Sequence, residues 1–217
     1  MATHFARGIL STGEPLSTRL SAACHQSARL LPTYRQARFC ASRSLLAELL
    51  FMLYGISELP GNIVGVALTT EGDCGLDMEL QRTVRSHDAD RHNFSNNENL
   101  WINIQHDPDE ARSQLVALRR SVLKLTGEAS TQLQLLPGSG RLRTAGSQPI
   151  EAVCDAESLL VWSIAATPNI GSLKVWEYDA KGGDWRSLAD AQQRAREPSA
   201  RLMRFTSLPM EKTLSLN

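Results

Sequence analysis

The sequence has few cysteines, and no two of them lie close together. The four, Cys24, Cys40, Cys74 and Cys154, form no Cys-x-x-Cys pair, which argues against both a zinc site and a disulfide framework. Scattered cysteines of this kind are typical of a reducing compartment, so we expect a cytoplasmic protein.

The sequence also has no excess of charge and no long hydrophobic run. Its 23 basic and 23 acidic residues balance, so the chain has no overall field to recruit nucleic acid or an anionic membrane. The longest apolar stretch, from Leu45 to Leu53, contains Glu48 and is too short to cross a bilayer, and no charged-then-apolar signal sequence opens the chain. We therefore expect neither a nucleic-acid nor a membrane partner.

The chain is nevertheless long and apolar enough for a substantial core. Its 217 residues, 42% of them hydrophobic, can bury one large core or two small ones. In the first half we predict a strand over residues 4–10 and, after a loop, a helix over residues 33–54 that Gly55 ends. Residues 62–70 alternate in the manner of a strand, and the turn at residues 71–73 predicts a hairpin to the next strand.

The predicted helix over residues 33–54 has a basic face and an apolar stripe. Arg35 and Arg38 lie three residues apart on one face, where they can bind an anion or stand in water. The stripe consists of leucines at helical spacing: Leu45, Leu46, Leu49, Leu50 and Leu53.

The strand after the turn carries the most informative motif of the chain, Cys74-Gly-Leu-Asp-Met-Glu79. Asp77 and Glu79 are two residues apart, and on a strand such side chains share a face. Two adjacent carboxylates, approached over Gly75, suit a hard divalent cation that also carries a substrate phosphate. The alternative is a pair of solvated carboxylates at a strand end, and the motif taken alone favours that alternative.

The second half opens with a polar linker and two helices. Residues 82–99 are polar and indicate a surface linker. Within them Ser95 is placed to cap a short helix, with Glu98 at the capping-box position, which is a sufficient structural role for both. A longer helix is predicted to begin at Asp107 and to end at Gly127.

The longer helix has a second basic face. Arg120 and Lys124 lie four residues apart, so both can reach one anionic group or stand in water. The side chains expected to face the core are Leu115, Leu118, Val122 and Leu125.

Further strands are predicted over residues 133–136, 141–144, 159–165 and 173–178, and the segment after Asp184 is expected to form a polar surface. We therefore predict an α+β fold of two similar lobes, each a small antiparallel sheet packed against a long helix. Residues 1–88 would form the N-terminal lobe with the Arg-rich helix and the metal strand. Residues 89–217 would form the C-terminal lobe with the Lys124 helix and the antiparallel strands.

Taken in order, these motifs resemble the 4'-phosphopantetheinyl transferase superfamily, of the two-lobed surfactin-synthetase-activating type. The likeness runs along nearly the whole chain. It implies a monomeric transferase that moves 4'-phosphopantetheine from coenzyme A to a serine of an acyl or peptidyl carrier protein in a Mg2+-dependent step. The motifs that carry it are Arg35-Gln-Ala-Arg38-Phe-Cys-Ala-Ser-Arg43, Gly-Leu-Asp-Met-Glu, Phe94-Ser-x-x-Glu98 and the helix with Lys124.

The resemblance also implies a role for each candidate residue. Phosphoryl transfer needs a metal to neutralise the diphosphate, cations to hold phosphates and a base for the serine. Asp77 and Glu79 match the metal ligands, and Glu98 matches the glutamate of the Phe-Ser-x-x-Glu turn, with a catalytic role. The residues that match coenzyme A-binding positions are Arg35, Arg38, Arg43 and Lys124, and Lys124 is also catalytic beside the transferred phosphate.

Two departures from the family pattern bear on activity. Arg120 takes the place of the glutamate in Trp-x-x-Lys-Glu-x-x-x-Lys, and Val116 that of the tryptophan; a cation can neither ligate a metal nor accept the serine proton. In addition, Pro60 runs directly into Gly61 where the family inserts a phosphate-binding segment. Either the segment is deleted or the sequence is joined across it, and we favour the second, because a helix ending at Gly55 would otherwise enter the next strand almost at once.

Three hypotheses follow. The first is a phosphopantetheinyl transferase, and the second is an impaired homologue that binds coenzyme A or a carrier protein without turnover because of Arg120. The third is an unrelated small α+β domain whose matches are accidental.

Overall fold

The computed structural model describes residues 3–9, 20, 22–50, 57–58, 63–81, 93–157, 160–179, 184–188 and 202–208. The helices within these residues are α1 (Ala22–Arg29), α2 (Thr33–Leu50), α3 (Asn96–Asn103) and α4 (Pro108–Thr126). Two short 3-10 turns cover Ser130–Gln132 and Pro137–Ser139.

Eleven strands in the described part of the chain form two sheets. The first sheet has the order β10-β9-β1-β3-β2 and the second the order β4-β8-β7-β11-β6-β5. The strands are β1 (Thr3–Ile9), β2 (Ser57–Glu58), β3 (Ile63–Thr69), β4 (Cys74–Leu80), β5 (Gln134–Leu136), β6 (Arg141–Arg143), β7 (Glu151–Ala156), β8 (Leu160–Ala166), β9 (Leu173–Asp179), β10 (Asp184–Ser187) and β11 (Met203–Thr206).

The predicted α+β fold with a long helix on each of two sheets is confirmed. Helix α2 packs on β1 and β3 of the first sheet, and α4 packs on β4, β7 and β8 of the second. The sheets are mixed rather than purely antiparallel, because β1 pairs in parallel with β9 and β6 pairs in parallel with β11. Hydrophobic periodicity does not distinguish the two directions of pairing in such short strands.

The predicted hairpin between β3 and β4 is wrong. The two strands lie in different sheets: β3 pairs with β1 and β2, while β4 pairs antiparallel with β8 along its whole length, from Cys74 to Leu80. The turn between them carries the chain from one sheet to the other, with Gly72 in the left-handed region at φ 69°. The residues of a turn indicate that the chain reverses direction, but they do not indicate which strand the following strand pairs with.

Three hydrophobic clusters place the sheets between the helices. One contains Phe5 from the first sheet and Met78 and Trp162 from the second, and the rings of Phe5 and Trp162 lie 5.2 Å apart. A second cluster joins α4 to the second sheet, and a third joins α2 to the first. The order of layers is therefore α2, first sheet, second sheet, α4.

Several predicted features are confirmed and others were missed. Helix α2 begins at Thr33 as predicted and Leu45 is buried, but its predicted end at residues 54–55 and the side chains of the other four leucines lie outside the described residues. The segment after Asp184 is not wholly polar surface, because β11 buries Phe205. The elements missed were α1, β2, β7, β10 and β11.

Among the described helices, none has both the length and the apolar character that crossing a membrane requires.

Candidate functional site

Helix α4 has the start and the end that its sequence predicts. Asp107 caps it and accepts a hydrogen bond from the backbone N–H of Glu110 at 3.0 Å, with Pro108 in the first turn. Gly127 ends it in the left-handed conformation at φ 68°. The core-facing residues are as expected, with Leu115, Leu118 and Val122 buried and Leu125 half-buried.

Gly75 lets α4 lie directly on β4. A Cβ atom at this position would overlap the carbonyl oxygen of Ser121 and come within 2.8 Å of the backbone nitrogen of Leu125. Because these are backbone atoms of a helix, they cannot move aside individually. The glycine of the motif therefore serves helix packing, and it brings the face of β4 that carries Asp77 and Glu79 under the basic face of α4.

Lys124 and Asp77 form the first of two ion pairs across this contact. The Lys124 Nζ donates to Asp77 Oδ1 at 2.7 Å and to the carbonyl oxygen of Leu76 at 2.9 Å. The carboxylate side chain is 7% exposed, whereas the lysine side chain is 49% exposed. The lysine thus covers the buried carboxylate from the solvent side.

Arg120 and Glu79 form the second ion pair, one turn of the helix away. The guanidinium Nη1 donates to Glu79 Oε1, and the arginine side chain is 49% exposed against 15% for the glutamate. Asp77, Glu79, Arg120 and Lys124 together form what we term the carboxylate–cation cluster.

Burial and the facing cations act in opposite directions on the acids of this cluster. Burial raises the pKa of Asp77 above its usual value, and the hydrogen bond and charge of Lys124 oppose the rise. Burial likewise raises the pKa of Glu79, with the charge of Arg120 opposing it. In both cases burial has the larger effect, so both carboxyls hold their protons more firmly than in water.

One oxygen of Asp77 has no partner in the described structure. Asp77 Oδ2 is buried and accepts no hydrogen bond. The neighbouring strand places Ser163 opposite Asp77, and the hydroxyl oxygens of Ser163 and Ser121 lie 2.9 Å apart, buried beneath α4. Sequence reasoning missed both serines, although a hydroxyl inside the apolar run of β8 was a signal that a polar neighbour lies beneath the helix.

The two carboxylates fit one kind of metal site and not another. Among the described residues no three His, Cys, Asp or Glu side chains are grouped to hold a metal ion, so a cage built only of protein ligands is not available there. Mg2+, however, is commonly held by one or two carboxylates together with waters and substrate phosphates. Asp77, with its unpartnered oxygen, and Glu79 fit an ion bound in that way.

Glu98 lies in a separate, buried cluster. It is 1% exposed and completes the predicted capping box, since its Oε2 accepts from the Ser95 backbone N–H at 2.7 Å. Its Oε1 accepts from Arg119, whose guanidinium also lies over the Phe94 ring at 5.8 Å. These contacts favour the structural interpretation of Glu98, and they do not include any member of the carboxylate–cation cluster.

The predicted coenzyme A-binding arginines lie together on α2, on the outer side of the first sheet. Arg35 is exposed, and Arg38 and Arg43 are half-buried. Arg43 lies over the Phe39 ring, 5.1 Å from its centroid. Within the part of the chain that the structure describes, none of the three arginines forms an ion pair.

The fold and the site define an α+β protein with a cluster of two carboxylates and two cations between a strand and a helix. Over an alignment of 250 residues the chain is 54% identical to the uncharacterized protein YieE of Escherichia coli K12, and the alignment covers all of both chains. The YieE protein of E. coli O6:H1 strain CFT073 is similar to the same extent. The chain therefore belongs to the YieE family. No protein-family model matches it.

The length of the alignment bears on the segment expected between Pro60 and Gly61. Its 250 positions against the 217 residues of this chain leave 33 positions without a residue here. At those positions the relatives have residues that this chain lacks. The junction itself lies outside the described residues, and the choice between deletion and a joined sequence stays a prediction.

Proposed function

We propose that the protein transfers 4'-phosphopantetheine from coenzyme A to a serine of an acyl or peptidyl carrier protein, with Mg2+ as cofactor. One observation supports this most strongly: Lys124 and Asp77, 47 residues apart, form an ion pair at 2.7 Å. The two motifs that the transferase pattern separates in sequence thus lie together as one cluster. A cluster of this composition can hold an ion and a phosphate side by side.

The residues would divide the work as follows. Asp77 and Glu79 would hold the Mg2+ ion, which when bound neutralises charge on the diphosphate. Lys124, half-exposed above the carboxylates, would place its ammonium group against the transferred phosphate. Arg35, Arg38 and Arg43 would bind the nucleotide phosphates of coenzyme A through charge-assisted hydrogen bonds from their guanidinium groups.

The test is the intact mass of an apo acyl carrier protein after incubation with the protein, coenzyme A and Mg2+. We expect a gain of one phosphopantetheinyl group, and we expect Asp77→Ala to abolish it. Asp73→Ala is the matched control, because Asp73 is an exposed carboxylate of the turn just before β4. Retained activity in Asp77→Ala, or equal loss in both variants, would contradict the assigned role.

A second function is supported by a specific contact. Arg120 occupies the glutamate position of the pattern and pairs with Glu79, and a cation there cannot accept the serine proton. The alternative is therefore a homologue that binds coenzyme A or the carrier protein without turnover. Calorimetric binding of coenzyme A together with an unchanged carrier mass across several carriers would support it over the transferase.

A further inference from the structure

We infer that Arg120 competes with the divalent cation for Glu79, so that the ion affinity of the site is low until a phosphate group draws Arg120 away. The inference rests on the proposed function for the identity of the ion, and it goes further by assigning a role to a residue that the transferase pattern does not contain. It would make ion binding depend on the phosphate ligand.

The charges of the cluster are balanced without any ion. Two carboxylates, Asp77 and Glu79, face two cations, Arg120 and Lys124, in ion pairs. A divalent cation entering this cluster meets two positive charges as well as two negative ones. Its binding is therefore weaker than two neighbouring carboxylates alone would allow.

The two cations differ in how firmly they are held. The described contacts of Lys124 are two hydrogen bonds, to Asp77 Oδ1 and to the carbonyl oxygen of Leu76, whereas the described contact of Arg120 is with Glu79 alone. The Arg120 side chain is half-exposed and long enough to turn outward. Arg120 is thus the cation that can leave, and Glu79 is the oxygen donor that its departure makes available.

A phosphate group provides the reason for Arg120 to leave. A guanidinium binds phosphate oxygens with two parallel hydrogen bonds, as it does a carboxylate. Any phosphate ligand that takes Arg120 from Glu79 increases the affinity for the ion, and by reciprocity the ion increases the affinity for that ligand by the same factor. The site would then load ion and phosphate together.

The first test measures binding of Mn2+ alone, as a spectroscopic substitute for Mg2+, to the wild type and to Arg120→Gln. With the screening of bulk water, removing one positive charge about 6 Å from a divalent ion corresponds to roughly tenfold tighter binding. The matched control is Arg186→Gln, which removes the same charge from a more exposed arginine that pairs with Glu177 in the first sheet. We expect the control to bind Mn2+ as the wild type does.

A second measurement distinguishes competition from a general change of structure. The double variant Arg120→Gln with Glu79→Gln should lose the gain in Mn2+ affinity, because the competition is for Glu79. In addition, Mg2+ should increase the affinity for coenzyme A by a larger factor in the wild type than in Arg120→Gln. Circular dichroism checks that the variants fold. If Arg120→Gln does not fold, the same measurement is made on Arg120→Ala.

Unchanged Mn2+ affinity in Arg120→Gln and Arg120→Ala, or an equal gain in Arg186→Gln, would overturn the inference. These outcomes are separate from those of the carrier assay. If the carrier is modified but Arg120→Gln binds Mn2+ no more tightly than the wild type, only the competition is refuted. If Arg120→Gln binds Mn2+ more tightly but no carrier is modified, only the proposed transfer is refuted.

Discussion

The two long helices carry their positive charges in opposite ways. On α4 each of the four basic residues is paired with a carboxylate: Arg112 with Asp109, Arg119 with Glu98, Arg120 with Glu79 and Lys124 with Asp77. On α2 the arginines at positions 35, 38 and 43 have no ion pair within the described part of the chain. The basic residues of α4 thus act as internal counter-ions, whereas those of α2 pair with no carboxylate of the described residues.

The difference shows what positions a charge. On α4 the carboxylates come from β4, from the first turn of α3 and from α4 itself, so the fold determines where each cation points. On α2 the arginines lie on the outer side of the first sheet, and no carboxylate among the described residues forms an ion pair with them. We therefore expect changes on α4 to alter stability and ion binding, and changes on α2 to alter ligand affinity alone.

The largest effect is expected from Gly75→Ala, which would disrupt the packing of α4 on β4 and with it the ion pairs between them. The added methyl group meets backbone atoms of Ser121 and Leu125, so the helix must move off β4. We expect a loss of about 3 kcal/mol in the free energy of unfolding, measured by chemical denaturation. Gly138→Ala, where an added Cβ meets nothing within 4 Å, is the control, and equal losses would contradict the packing role of Gly75.

Lys124→Ala should have the next largest effect. It leaves the buried carboxylate of Asp77 without its hydrogen-bonding cation, and such a loss costs about 2 kcal/mol. Arg35→Ala on α2 should change stability by less than about 0.5 kcal/mol. Urea denaturation of both variants tests the comparison directly, and a similar loss in both would refute it.

Arg38→Ala should weaken binding of coenzyme A without altering stability. Loss of one charge-assisted contact by this half-buried side chain corresponds to about 1 kcal/mol, or about fivefold in Kd, measured by isothermal titration. Arg29→Ala removes the same charge from an exposed position at the end of α1 and should leave the affinity unchanged. A larger effect of Arg29→Ala would move the nucleotide site to α1.

The smallest effect concerns pH. Because burial raises the pKa of Asp77 above 3.8, the folded protein holds this proton more firmly than the unfolded chain. The resulting stability is fully present below that value and is lost as the pH rises through the folded-state pKa. The free energy of unfolding of the wild type, relative to Asp77→Asn, should therefore fall as the pH rises above about 4; a rise would contradict the raised pKa.

The sequence was most informative where a local signal determined the structure. The caps Ser95, Asp107 and Gly127, the apolar face of α4 and the shared face of Asp77 and Glu79 all follow from residues close together in the chain. The α+β class followed from the alternation of such segments. These predictions needed no knowledge of which strand pairs with which.

The rest depended on contacts distant in sequence. Nothing near Glu71 or Asp73 indicates that β4 pairs with β8 rather than with β3. The sequence predicted that Arg120 and Lys124 either reach one anionic group or stand in water, and it did not identify Glu79 as the partner of Arg120. The elements β7 and β11 were missed because their burial is created by α4 and by each other, not by a strong local pattern.

The exchange of strands between the sheets also limits the order in which the chain can assemble. One edge of β1 pairs with β9, which lies more than 160 residues later in the chain. Strand β4 likewise pairs with β8, which is synthesised later. During synthesis on the ribosome, the emerging N-terminal part therefore presents open strand edges until most of the polypeptide has been made. Folding should accordingly be late, slow and sensitive to chaperones.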